Sequence, residues 1–228
     1  MAETPPNCYI TVDQLRDLTR DQQTAYDEEY ARAVAAASRS IDLYCGRTFY
    51  RSTTPTARVF RPEQPDLLWT RDIATSAGLL LKTDEDNDGV YETTWTINTD
   101  FVLEPFERVQ DNPYERIAAV GGREFTVPTR NRVGRLSSRR PTVQVTAVWG
   151  WPDIPASVEQ ATAIQAVDNF KAKDLAHVAS TYGNEVRVAR DYSPGMHGRK
   201  VKFSRTRAPL LNPQAEALIS ALRLTTIA

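Results

Sequence analysis

The chain has 228 residues, 41% of them hydrophobic and 25% charged, and its 28 basic and 29 acidic residues leave a net charge of −1. This composition is typical of a soluble globular protein. No run of about 18 apolar residues is present, which excludes a membrane-spanning helix. The first ten residues lack a basic region followed by an apolar core, so we expect no secretion signal.

The charges are unevenly distributed along the chain. Residues 1–120 carry 12 basic and 21 acidic side chains, whereas residues 121–228 carry 16 basic and 8 acidic ones. Such an asymmetry indicates either a face for nucleic acid or a contact in which the acidic part of one copy meets the basic part of another.

Two helices are predicted near the start of the chain. Thr11 and Gln14 have the spacing of a capping box at the first, over about 11–19, with Leu15 and Leu18 facing inward. Thr24 and Asp27 suggest a second box, which opens a longer helix over 24–45. Its apolar stripe recurs every three or four residues and consists of Tyr26, Tyr30, Val34, Ala37, Ile41 and Tyr44. Gly46 stands where a glycine would end this helix.

The pattern changes from helical to β-rich after residue 51. Short runs of β-forming residues alternate with turn residues and prolines up to residue 150, and they read ARVFRP, GLLLKT, VYETTWTI, DFVLEP, ERIAAV and TVQVTAVWGW. This alternation predicts a mostly antiparallel β-subdomain inserted between helices. The arginine-rich run RNRVGRLSSRR is predicted to form a basic loop or an edge strand.

An acidic stretch, KTDEDNDGVYETTW at residues 82–95, has two interpretations. Asp84, Asp86, Asp88 and Gly89 match the first, third, fifth and sixth positions of a calcium-binding loop, but Trp95 stands where a bidentate carboxylate belongs. The flanks are also rich in β-formers rather than helical. We therefore interpret the stretch as the solvated tip of a β-hairpin, with Asp88-Gly89 supplying the turn and with no bound ion. No cofactor is expected anywhere in the chain.

Helix returns at about 155–174, with Pro155 in its first turn. The apolar stripe of this helix comprises Val158, Ala161, Ile164, Val167 and Phe170. Residues 178–208 are irregular, with one possible short hairpin, and carry a basic run. Asn212-Pro213 then caps a last helix to about residue 223, whose inward face is predicted to hold Ala217, Leu218, Ala221 and Leu222.

These elements together predict an α+β fold: a small helical bundle with an inserted, mostly antiparallel β-subdomain and an extended C-terminal arm. Residues 1–50 would supply the N-terminal helices of the core, 51–150 the β-subdomain and 151–176 a core helix. Residues 177–228 would form the basic arm and the last helix.

The sequence offers no catalytic signature. It lacks GxSxG, the phosphate-binding loops, GxGxxG and HExxH. His177 and His197, the only histidines, have no ligand spacing and are interpreted as surface or packing residues. Glu104 and Glu107 could in principle serve as a general acid and a general base, but we expect both side chains to be solvated. We therefore predict that the chain is not an enzyme.

The cysteines and two of the tryptophans are interpreted as structural residues. Cys8 and Cys45 match neither a zinc site nor a disulfide framework, which suggests a reducing site of synthesis. Cys45 lies near a helix C-terminus, where a thiolate is not favoured, so we take it for a small packing residue. Trp149 and Trp151 could form an aromatic platform for a base or a sugar, but packing in a core is the better interpretation.

Three blocks of the chain, in order, resemble the phage head-to-tail connector proteins, also called head-completion adaptors. The first is the helical pair YITVDQLRDLTRDQQTAYDEEYARAVAAASRSIDLYCGRTFYR, which ends in Gly46-Arg47-Thr48-Phe49. The second, LKTDEDNDGVYETTWTINTDFVLEP, is similar to the β-insert of the longer members. The third, VTAVWGWPDIPASVEQATAIQAVDNFKAKD, is similar to their strand-to-helix junction. The resemblance covers most of residues 8–175.

The resemblance implies a structural virion protein of a long-tailed phage, made in the host cytoplasm. Family members form rings, commonly of twelve copies, that dock under the portal, extend the DNA channel and offer a platform for tail attachment. The implied partners are other copies of the chain, the portal protein, and a tail-side connector or tail terminator. DNA would pass through without sequence-specific binding, and no membrane is involved. The family has no catalytic residues to carry over.

Two other classes of function stay open. One is a calcium-binding or ligand-binding β-module of a phage particle, and the other is a nucleic-acid-binding accessory protein. The candidate interface residues lie in the basic arm and are Arg199, Lys200, Lys202, Arg205 and Arg207. We expect the arm to contact neighbouring copies or the portal rather than DNA.

Overall fold

The computed structural model describes residues 3–20, 24–108, 112–127, 140–181 and 211–224. The chain divides into two compact units. The helical unit comprises Met1–Arg47 and Pro155–Ala228, and the sheet unit comprises Thr48–Ile154.

The described residues of the helical unit form four α-helices. They are α1 (Val12–Thr19), α2 (Asp27–Cys45), α3 (Ala156–Thr181) and α4 (Pro213–Ile219), with short 3₁₀ turns at Thr24–Tyr26 and Ser220–Leu222. Helix α2 packs along α3, α4 packs on α3, and α1 contacts both α2 and α3. The longest helices thus form the centre of this unit.

The first predicted helix cap is confirmed, and the second, between Thr24 and Asp27, stays a prediction because the Thr24 side chain lies outside the described residues. The Gln14 amide donates to the Thr11 hydroxyl at 3.1 Å, and the Thr11 amide donates to the Gln14 side chain at 2.7 Å. Helix α2 follows a 3₁₀ turn, and its N-cap residue, Tyr26, makes no side-chain capping bond. The Asp27 carboxylate, in the first turn of α2, binds Arg16. Gly46, with φ 70°, ends α2 as predicted.

The predicted stripe of α2 is confirmed at its centre and wrong at its first residue. Tyr30, Val34, Ala37 and Ile41 are fully buried, whereas Tyr26 is 43% exposed. Leu18 of α1, predicted to face inward, is also exposed. The buried face of α1 runs through Val12 and Leu15 to Thr19, whose hydroxyl lies 3.2 Å from that of Tyr30, so Leu18 is on the other side.

The buried face of α3 is rotated from the predicted stripe. Val158 and Ala161 are buried as expected, but Thr162, Gln165 and Ala166 are buried after them, while Ile164, Val167 and Phe170 are half-buried. Burial of a polar side chain requires hydrogen-bond partners. Gln165 has them, because its amide oxygen accepts from the backbone of Asn212 at 2.7 Å and its amide nitrogen donates to Asn169 at 2.9 Å.

Helix α4 starts as predicted but buries a different face. The Asn212 side chain accepts from the Gln214 amide at 2.8 Å, and Pro213 occupies the first turn. The buried residues are Leu211, Ala215 and Ile219, whereas Ala217 and Ala221 are exposed and Leu218 and Leu222 are half-buried. Asn212 also donates to Asp168 of α3, so the start of α4 is anchored in a fixed orientation.

Within the part of the sheet unit that the structure describes, six strands form one antiparallel sheet. The strands are β1 (Thr56–Phe60), β2 (Leu67–Thr83), β3 (Thr93–Trp95), β4 (Phe101–Glu104), β5 (Tyr114–Ala119) and β6 (Val143–Trp149). Their order is β1-β6-β2-β5-β4, and β3 pairs with β2. Each of the six runs predicted as β contributes to a strand. The first half of β2 was not predicted. Register shifts between Trp69 and Leu80 break the alternation of β2 that would have marked it.

One face of this sheet carries the core of the unit. Its buried side chains are Leu68, Ile73, Leu81, Trp95, Phe101, Leu103, Ile117, Phe125, Val143, Val145, Ala147 and Trp149. Phe125 stacks on Trp95 with ring centroids 4.9 Å apart. The adjoining loops are therefore part of the packed core.

Candidate functional site

The predicted interface residues Arg199, Lys200, Lys202, Arg205 and Arg207 lie outside the described residues. The same holds for His197 and for all but the last residue of the basic run 130–140. The backbone of His177 lies in α3, but its side chain is not described. These assignments remain predictions.

The two anchor points of the basic segment, residues 182–210, are described. It begins where α3 ends, at Thr181, and it ends at Leu211, which is 2% exposed. Asn212 follows and is held by Gln165 and Asp168, in the middle of α3. The segment thus leaves from the end of α3 and returns beside its middle.

A groove of about 220 Å³ lies between α2 and α3. It is lined by Glu29, Arg32, Ala33, Ala36, Asn169 and Phe170. Phe170 stacks on the buried Tyr30 with ring centroids 4.4 Å apart, which fixes the aromatic part of the wall. Ala33 and Ala36 fill little space, so the groove stays open between the helices.

Charged side chains of both signs lie at the start of α2, beside the groove. Asp27, Glu28 and Glu29 occupy the first turn of the helix. Arg16 binds Asp27. Arg32 pairs with Glu28 at 3.2 Å, and the side chains of Arg32 and Glu28 are largely exposed. Glu29 brings a further carboxylate to the groove itself. The groove thus combines apolar walls with one carboxylate, from Glu29, and one guanidinium, from Arg32.

The acidic stretch connects β2 to β3, as predicted for a hairpin, but its turn differs from the prediction. Positive φ angles occur at Asn87 (63°) and Gly89 (100°), not at Asp88. Asp84 is fully buried rather than solvated. Its carboxylate accepts from the amides of Asp88 at 3.2 Å and Gly89 at 2.8 Å, so Asp84 organises the loop from within.

Asp84, Asp86 and Asp88 also form a cluster of potential cation ligands, with one oxygen of each within 4.8 Å of the others. The Asp88 amide lowers the pKa of Asp86, but desolvation and the carboxylates of Asp88, Glu92 and Asp84 outweigh it and raise that pKa. Arg140 donates to the Asp88 carbonyl and brings a positive charge to the loop. The Asp84 carboxylate thus holds the loop through two backbone amides, and a cation would have to compete with these amides for it.

The outer face of the sheet exposes an aromatic side chain that the sequence reading missed. Trp69 on β2 is 52% exposed and stands opposite Arg116 on β5, whose guanidinium lies 5.1 Å from its ring. Arg116 in turn pairs with Glu104 on β4 at 3.3 Å. Glu104 is therefore part of a cross-strand row, which does not suit it to the acid–base role weighed above, while Glu107 is exposed.

The residues interpreted as packing residues are buried. Trp149 and Trp151 are each 3% exposed, and the Trp149 indole donates to the Thr56 carbonyl at 2.7 Å. Trp151 packs on Phe49 with ring centroids 5.3 Å apart. Burial raises the pKa of the Cys45 thiol to about 11, because desolvation disfavours the thiolate. The aromatic-platform interpretation is wrong, and the packing interpretation of Cys45 is confirmed.

The fold is shared with a chain in a solved structure of a gene transfer agent particle. The matched chain is a component of the neck of an empty gene transfer agent (GTA) particle computed with C6 symmetry. The alignment covers 98% of this chain and 93% of the matched chain, with a TM-score of 0.52 and 18% identity. Chains from the neck of the native particle, computed with C12 symmetry, and from its virion match at 18% and 17% identity, with TM-scores of 0.47 and 0.48. The native-neck match spans 98% of this chain and 93% of the other, and the virion match 100% and 95%. No protein-family model and no curated sequence matches the chain.

Within the residues that the structure describes, no helix is both long and apolar enough to cross a membrane.

Proposed function

We propose that the chain is a structural virion protein of the neck of a phage-like particle. In this role it forms a ring under the portal, extends the channel through which DNA passes, and provides the platform for tail attachment. It would act without catalysis, at the head–tail junction of the virion.

One observation carries this proposal: the chain shares its fold, over 98% of its length, with a component of the neck of a gene transfer agent particle. The three sequence blocks that resemble head-to-tail connectors support it independently. A fold alone does not determine function, so the agreement between the sequence blocks and the fold is the basis of the proposal.

The ring is proposed to be head-to-tail and, from the connector family, to contain twelve copies. Head-to-tail contacts join different surfaces of neighbouring copies and close into a ring when the rotation allows. The excess of acidic residues in 1–120 and of basic residues in 121–228 favours such a contact. The exposed Trp69–Arg116 pair is a second candidate surface, because tryptophan and arginine dominate the binding energy of many interfaces.

The proposed partners of the ring are the portal on one side and a tail-side connector or tail terminator on the other. The basic segment 182–210 is proposed to contact protein rather than DNA, because tight phosphate contacts would oppose the sliding of DNA during packaging and ejection.

The test is to remove the gene from the particle-producing genome and restore it on a plasmid. Without the protein, DNA-filled heads and free tails should accumulate unjoined, and the plasmid should restore joined particles. Normal tailed particles in the absence of the protein would overturn the proposal.

A further inference from the structure

The basic segment 182–210 has far more residues than its two anchor points require. Between Asp168 and Thr181, α3 spans about 20 Å at 1.5 Å per residue. About six extended residues, at roughly 3.3 Å each, would cover that distance. The segment has 29 residues, so its middle can extend about 40 Å from the helical unit and still return to Leu211.

The composition of the segment is opposite in charge to the surface of the helical unit. It contains seven basic and two acidic residues. The described part of the helical unit, residues 3–20, 24–47, 155–181 and 211–224, contains 8 basic and 11 acidic residues. Opposite charges on two surfaces guide their association and fix its register.

The groove between α2 and α3 matches the apolar part of the same segment. An apolar cavity of about 150 Å³ is large enough to bind benzene, and this groove has about 220 Å³ with Ala33, Ala36 and Phe170 in its walls. In the run Lys200-Val201-Lys202-Phe203-Ser204-Arg205, one aromatic side chain stands among three basic ones. Glu29 and Arg32 both line the groove, so the groove offers a carboxylate for a basic residue, while the surplus of negative charge belongs to the helical unit as a whole.

We propose that residues 200–205 of one copy dock in the α2–α3 groove of a neighbouring copy, with Phe203 between the helices and Lys202 beside Glu29. This inference rests on the proposed ring and identifies one of its contacts. The excess length of the segment allows residues 200–205 to reach a neighbouring copy while the chain still returns to Leu211. Groove and segment are different surfaces, as a head-to-tail ring requires.

Mixing two variants that each carry one added cysteine tests this contact, because a disulfide between the two added cysteines must join two chains. In a Cys8→Ser background, with Cys45 buried, one variant carries Ala36→Cys and the other Phe203→Cys. A disulfide requires Cα atoms within about 7 Å. Under conditions where rings form, we expect a cross-linked pair of chains. Leu43→Cys, on an exposed position two turns along the same helix, should give none.

Two further variants test the shape and the charge of the contact. Ala36→Trp should fill the groove and raise the protein concentration needed for ring formation about tenfold, equivalent to 1.4 kcal/mol, whereas Leu43→Trp should leave it unchanged. Glu29→Lys should weaken ring formation, and Lys202→Glu in the same chain should restore it.

Three results would overturn the inference. If a chain that carries both Ala36→Cys and Phe203→Cys forms only an intrachain disulfide, the segment docks in the groove of its own chain. If rings form without any cross-link and tolerate Ala36→Trp, this contact is not part of the ring, although the proposed function still stands. If no ring forms with or without the portal, the proposed function fails, and this inference fails with it.

Discussion

Gly150 lies so close to the backbone of Tyr50 that a β-carbon on Gly150 would stand 1.9 Å from the Tyr50 carbonyl oxygen. Its φ angle of 105° is also one that side chains rarely adopt, and its amide donates to the Asp72 carbonyl at 2.9 Å. Glycine is therefore required at this position, where β6 has just ended.

Gly150→Ala should destabilise the sheet unit by more than about 4 kcal/mol, because backbone atoms must move to relieve the overlap. Gly122→Ala is the matched control: its φ is 79°, but nothing lies within 4 Å of the added carbon, so a cost of about 1 kcal/mol is expected. Urea unfolding followed by tryptophan fluorescence measures both, since all four tryptophans belong to the sheet unit. Equal costs for the two variants would contradict the close approach.

The centre of α2 is predicted to tolerate no charge. Ile41 is fully buried, so Ile41→Asp should abolish soluble protein because an unpaired buried charge is very costly. Leu43, two residues along and 71% exposed, is the control, and Leu43→Asp should give a normal yield. Soluble expression followed by circular dichroism measures the difference. A soluble, folded Ile41→Asp variant would show that the core is misplaced.

The turn before β4 should make stability depend on pH. Asp100 accepts from the Thr96 amide at 2.8 Å and from Arg123 at 2.9 Å, and these two groups lower its pKa below the usual 3.8. A lowered folded-state pKa adds stability above the unfolded-state pKa, and that stability is lost as the pH falls through the folded value.

Asp100→Asn should therefore be less stable than the wild type at neutral pH, and the gap should close as the pH drops below about 4. Glu63→Gln, on an exposed position of the same unit, controls for the loss of one negative charge. Urea midpoints across the pH range provide the measurement. A gap that stays constant down to pH 2 would argue against the ionised Asp100.

The Asp84 loop is predicted to bind no calcium at millimolar concentration, because the buried carboxylate already accepts two backbone amides. Isothermal titration with calcium should give no heat of binding, and the unfolding midpoint should not move. Asp84→Asn should still lower stability, since the loop loses a charged acceptor worth about 1.5–3 kcal/mol per bond at most. Saturable calcium binding that disappears in Asp84→Asn would instead support the calcium-binding alternative.

Local signals in the sequence predicted some elements well and others poorly, for physical reasons. The Thr11–Gln14 cap and Gly46 were readable because each depends on neighbouring residues alone. The faces of α3 and α4 were not, because Gln165 is buried through a hydrogen bond to Asn212, 47 positions away. Trp69 was missed because burial alternates around it with inverted polarity: polar Thr70 and Asp72 are buried, while the tryptophan is exposed.

Negative-stain microscopy combined with light scattering tests the central claim most directly. The purified protein is measured alone and after mixing with the portal protein encoded in the same genome. We expect closed rings that stack coaxially on the portal, with a mass that exceeds that of the portal by a whole multiple of 25.6 kDa. Folded protein that stays monomeric and leaves the portal bare at every concentration tested would contradict it.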